Sequence, residues 1–119
     1  MHGAYATGYV EGTYTMATTP EGKIKKQVKD ILKHFDVWFD MPVPGGFGKS
    51  QLDFTCCVRG RMLAIETKAP GKWLTALQCK TAADMYASGA KVFFISEPSG
   101  VMALYRYLNG IPWNTPLNL

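Results

Sequence analysis

From Gln51 to Lys68 the chain alternates between apolar and polar positions: QLDFTCCV, then Arg59-Gly60, then RMLAIETK. Two runs rich in β-branched and apolar residues, joined by a two-residue turn ending in glycine, predict a β-hairpin. If Val58 pairs with Arg61 across the turn, every opposed pair has residue numbers summing to 119, so Asp53 faces Glu66 and Gln51 faces Lys68. Successive side chains of a strand point to opposite faces. Leu52, Phe54, Cys56, Val58, Leu63 and Ile65 therefore share a buried face. Gln51, Asp53, Thr55, Cys57, Ala64, Glu66 and Lys68 share the other.

Upstream the period changes to that of a helix. Thr19 followed by Pro20 predicts an N-cap and a first helical residue. Ile24, Val28, Ile31, Leu32 and Phe35 then recur as one buried stripe. Lys23, Lys25, Lys26, Lys29 and Lys33 fall mainly outside it, as a solvated or phosphate-contacting face. Glu21 lies along the inward stripe. It reads either as an acid favoured by the helix dipole or as a further carboxylate aimed at the hairpin's acids.

Residues 37–43 predict a strand ended by Pro42 and Pro44. The Gly-Lys-Ser ending of residues 45–50 resembles a P-loop. However, Val43 stands where the first glycine belongs, and a strand pattern follows where a helix must open. The P-loop is excluded, and Lys49 is left on a glycine loop as a candidate backbone contact. Residues 73–88 predict a helix with Leu74, Leu77, Thr81 and Met85 facing inward. Gln78 lies on the same stripe and so needs hydrogen-bond partners. Residues 91–96 predict an apolar interior strand, and 101–108 a last short helix closed by Asn109-Gly110. Strand, helix, strand at this spacing implies a parallel crossover.

Composition narrows the class. A chain of 119 residues, 47% apolar and 18% charged, is one globular domain rather than a disordered one. The division is an arm over 1–17, an α/β domain over 18–110 and a tail over 111–119, with Trp113 expected to pack on the domain. A net charge of +4 suits a polyanionic partner such as DNA. The three cysteines lack zinc spacing, which favours reduced thiols and a cytoplasmic setting. No apolar run approaches the ~20 residues of a membrane span, so no membrane partner is expected.

The candidate chemistry lies on the hairpin's second face. Two carboxylates opposed on a strand pair stand roughly 5 Å apart and destabilise each other. At an effective dielectric of about 20 the repulsion is about 3 kcal/mol. A divalent cation with hard oxygen ligands is the expected compensation, with Lys68 as a second cation beside it.

With Asp53, Glu66-Thr67-Lys68, Leu74-Thr75-Ala76-Leu77-Gln78 and Gly89-Ala90-Lys91-Val92 in this order, the chain resembles the PD-(D/E)XK nuclease superfamily. Within it, the VRR-NUC family is the most similar, over about residues 19–96. Leu52 stands where the PD pair has proline, and Gly22 is a poor residue for a first helical turn. The resemblance implies a restriction-endonuclease-like core in the order α-β-β-β-α-β, with a mixed central sheet flanked by helices. It implies Mg²⁺ or Mn²⁺ held by Glu21, Asp53, Glu66 and the Thr67 carbonyl. Lys68 would be the catalytic lysine and Gln78 the helical glutamine. Small stand-alone members of the family look like phage or bacterial endonucleases of branched DNA such as four-way junctions. The implied protein is therefore a homodimer gripping DNA through Lys23, Lys26 and Lys49. The competing expectations are a non-cutting DNA- or protein-binding module and a monomeric flap or single-strand nuclease.

Overall fold

The computed structural model of the protein describes residues 19–43 and 51–112. The N-terminal arm, the glycine loop with Lys49 and the tail with Trp113 lie outside the described residues.

Helix α1 spans Pro20–His34, and its start follows from two residues. Pro20 occupies the first turn, where a missing N–H is no loss, and the Thr19 hydroxyl accepts the Gly22 N–H at 2.9 Å. Gly22, a weak residue by propensity, is buried here and supplies the capping donor. Ile24, Val28, Ile31 and Leu32 form the buried stripe, as their spacing requires.

Strand β1 covers only Trp38–Asp40, shorter than the expected 37–43. Pro42 lacks a ladder donor and restricts Met41 before it, so pairing stops early. Strands β2 (Phe54–Val58) and β3 (Arg61–Thr67) form the hairpin in the expected register, from Val58 opposite Arg61 to Phe54 opposite Ile65. At its turn Arg59 has φ +49° and Gly60 φ +81°. This is the doubly left-handed backbone that matches strand twist, and it explains the glycine. The Arg59 guanidinium donates to the Ile111 carbonyl and, at 3.5 Å, to that of Leu108, anchoring the hairpin to the end of the last helix.

Helix α2 (Ala76–Ala87), strand β4 (Lys91–Ile95) and helix α3 (Pro98–Gly110) follow. Helix α2 starts later than expected because Thr75, not Trp73, is its cap. Helix α3 starts earlier, at Pro98 rather than 101, because proline suits a first helical turn. The described residues are thus α/β, with one mixed sheet ordered β1-β2-β3-β4 and three helices among them. β1–β2 and β2–β3 are antiparallel, and β3–β4 is parallel.

The core lies on one face of this sheet. Phe54, Cys56, Val58, Leu63, Ile65 and Ile95 meet Val28 and Leu32 of α1 and Leu104 and Leu108 of α3. Truncating a leucine packed this way costs about 2–5 kcal/mol. The opposite face is different. Helix α2 packs on β4 and has no buried residue, so the stripe expected to face inward does not. Leu77 is 58% exposed, and a groove lined by Met62, Leu77, Thr81 and Met85 opens between α2 and β3. Periodicity correctly grouped Leu77, Thr81 and Met85 on one side, but that side lines an open groove instead of a closed core. No helix among the described residues is long and apolar enough to cross a membrane.

Candidate active site

Asp53 precedes the first residue of β2, and Glu66 is the penultimate residue of β3. The hairpin brings them together, but not as two bare charges. The Asp53 N–H donates to Glu66 Oε1 at 2.9 Å, and the Thr67 N–H donates to Asp53 Oδ2 at 3.0 Å. Each carboxylate is therefore held by a main-chain donor beside the other acid. The Thr67 hydroxyl donates to the same Asp53 oxygen, and Thr67 is fully buried. The expected repulsion is real in kind: burial first, then the Asp53 charge, pushes the Glu66 carboxyl above its ordinary value of 4.5. The Asp53 N–H and the Lys68 ammonium oppose that shift in part.

Three side chains complete the cluster. Lys68 Nζ lies 3.5 Å from Glu66 Oε2, and its N–H is tied to the Ile95 carbonyl of β4 at 3.0 Å. Gln78 Nε2 donates to the same Glu66 oxygen at 2.9 Å. Gln78 can be that exact because it is locked at the start of α2. Its Oε1 accepts the Thr75 N–H while the Thr75 hydroxyl accepts its own, a reciprocal capping box. Lys25 of α1 approaches from the far side, 3.6 Å from Asp53 Oδ1 and 3.9 Å from Glu21 Oε2.

The site thus gathers Asp53, Glu66, Lys68 and Gln78 as the sequence indicated. Glu21 is joined to it through Lys25 rather than directly. Thr67, expected to offer its carbonyl, here orients Asp53 through its N–H and hydroxyl. Lys26 pairs with Asp30 at 3.1 Å along α1, and Lys23 is exposed. Lys25 is the residue that sequence reasoning missed, counted there among solvated lysines. The available signal was its position four residues after Glu21 and next to the buried Ile24.

Among the described residues no three of the His, Cys, Asp and Glu side chains are gathered as a metal-holding group. Two adjacent carboxylates nevertheless fit Mg²⁺, which takes one or two protein carboxylates and completes its shell with waters and phosphate oxygens. One further group borders the cluster. Phe94 stands opposite Glu66 in the β3–β4 register, and its ring meets Trp73 edge-on at 4.7 Å between centroids. That contact leaves the indole 69% exposed. Comparison of this chain with protein-family models, with curated proteins and with solved structures finds no match, so the chemistry rests on the geometry of the site itself.

Proposed function

We propose that this protein is a metal-dependent endonuclease that hydrolyses DNA phosphodiester bonds, with a restriction-endonuclease-like core of the VRR-NUC type. One observation carries the reading. Two carboxylates and a lysine, Asp53, Glu66 and Lys68, converge on one edge of the hairpin, with Gln78 fixing the Glu66 oxygen that Lys68 approaches. A structural role would be met more cheaply by neutral groups, since burying Glu66 beside Asp53 opposes folding.

Asp53 and Glu66 would hold Mg²⁺ or Mn²⁺, which supplies an acidified water and a polarised phosphoryl oxygen. Thr67 keeps Asp53 Oδ2 turned inward, so that Oδ1 faces outward. Gln78 holds Glu66 Oε2 in place through Nε2. Lys68 places an ammonium beside Glu66, where Nζ can steady the charge that develops on the phosphate or orient the attacking water. The exposed Trp73 indole offers a stacking surface for an unpaired base, which favours branched or unpaired DNA over intact duplex. Resolving a four-way junction needs two cuts, so the active form on that substrate would be a two-fold homodimer.

The test is incubation with labelled duplex, flap, splayed and four-way junction DNA in Mg²⁺, Mn²⁺ or EDTA, beside Asp53→Asn. Metal-dependent cutting that Asp53→Asn abolishes while DNA binding persists supports the reading. Cutting in EDTA, or by Asp53→Asn, sinks it. DNA binding without cleavage of any substrate would favour a non-catalytic binding module.

A further inference from the structure

Four carboxylate oxygens belong to Asp53 and Glu66, and the fold commits three of them. Asp53 Oδ2 accepts both donors of Thr67. Glu66 Oε1 accepts the Asp53 N–H, and Glu66 Oε2 faces Gln78 and Lys68. The fourth, Asp53 Oδ1, is 3.6 Å from the Lys25 ammonium. That oxygen is the one best placed for an incoming cation, and a cation from the protein itself is already next to it.

We propose that Lys25 is a displaceable internal counter-cation: it pairs with Asp53 until a divalent ion binds, and it sets the affinity for that ion by competing for Asp53 Oδ1. The proposal rests on reading Asp53 and Glu66 as metal ligands. An ion on Oδ1 and an ammonium at ion-pair distance from the same oxygen repel each other, so one must yield. Lys25 is built to yield. Its side chain is 22% exposed on α1, its stem is flexible, and Glu21 Oε2 stands 3.9 Å away, one turn earlier, as an alternative partner. Lys68 cannot take this part, because it lies against the other acid. Lys25 is a positioning residue in this scheme: it acts on the ligand, not on the substrate.

The experiment is calorimetric titration of the full chain with MnCl₂, without DNA, for wild type, Lys25→Met and Lys25→Arg, with melting temperatures in EDTA and in saturating Mn²⁺. Lys25→Met should bind Mn²⁺ more tightly by about 5- to 150-fold, the range of ordinary coupling between sites. It should also melt below wild type in EDTA, with the gap closing in Mn²⁺. Lys25→Arg, which keeps the charge, should stay close to wild type. Equal or weaker Mn²⁺ binding by Lys25→Met overturns the proposal and leaves the metal site standing. Tightening by Lys25→Arg as large as by Lys25→Met would trace the effect to bulk, and also overturns it. Absence of Mn²⁺ binding in all three proteins sinks the metal site and the proposal together, whereas binding by Lys25→Met alone supports both.

Discussion

Replacing Asp53 by alanine and by asparagine should have very different effects on stability. Asp53 is the acceptor for two donors of Thr67, a residue with no exposed surface. Alanine leaves that N–H and that hydroxyl without their partner, at about 1–3 kcal/mol for each orphaned buried group. The Asp53 side chain is 21% exposed, so water can enter the vacated space and relieve part of the loss. A net cost of about 2–4 kcal/mol follows, in the lower part of the summed range. Asparagine keeps an acceptor for Thr67. It loses charge assistance and the Lys25 pair, the latter worth about 1 kcal/mol or less at a partly exposed site. Like alanine, it gains relief for Glu66, which the Asp53 charge opposes. These terms offset, and the net change should stay within about 1 kcal/mol. Urea unfolding in EDTA, analysed by linear extrapolation with m-values compared, measures both variants. If Asp53→Ala proves as stable as Asp53→Asn at equal m-value, Thr67 does not depend on Asp53 and the account of this cross-link is wrong.

Three other outcomes can be checked. Lys68→Ala should lose cleavage by orders of magnitude while calorimetric Mn²⁺ affinity is retained; normal turnover would make Lys68 only a neighbour of the site. Because Glu66 holds its proton more tightly when folded than its ordinary value of 4.5, the native state binds more protons than the unfolded state just above that pH. Stability therefore falls as pH rises above about 4.5, and Glu66→Gln should remove that fall in urea titrations carried upward from this pH. Burial pushes the Cys56 thiol up to about 12, whereas Cys57 and Cys79 are exposed. A thiol reagent should label Cys57 and Cys79 in the folded protein and reach Cys56 only on unfolding, and fast labelling of Cys56 would contradict its burial.

The turn and register of the hairpin were legible in the sequence because strand alternation and turn chemistry are both local, although the ladder stops at Phe54 opposite Ile65, short of the expected Gln51 and Lys68. Once Arg59-Gly60 is recognised as the turn, the register that brings Asp53 to Glu66 follows by counting. The core stripe of α1 was legible for the same reason. What counting could not supply was orientation across elements. Lys25 borders the buried stripe of α1, next to Ile24, but the partner it meets there, Asp53, comes from another element and could not be read from the helix alone. The stripe of α2 was grouped correctly and covered wrongly, since periodicity reports which residues share a side and not what lies over them. Thr67 was legible as part of the triplet, yet its hydrogen bonds to Asp53 depend on main-chain geometry where the ladder ends.

The placement of both acids on a single hairpin also bears on the order in which the chain assembles. A hairpin with a two-residue turn closes in about 1–10 μs, because little chain has to be brought together. The parallel pairing of β3 with β4 must wait for residues 68–90 to close, and Lys25 comes from a helix on the far side of the 41–53 connection. Asp53 and Glu66 therefore meet early, and the counter-charges from α1 and the hydrogen bond from α2 arrive late. The nascent hairpin carries a repulsion that the finished domain offsets only in part, through Lys25, Lys68 and Gln78. Refolding should accordingly speed up when the acids are protonated or when a divalent cation is present from the start. The groups proposed for catalysis would then also govern how fast the protein becomes native.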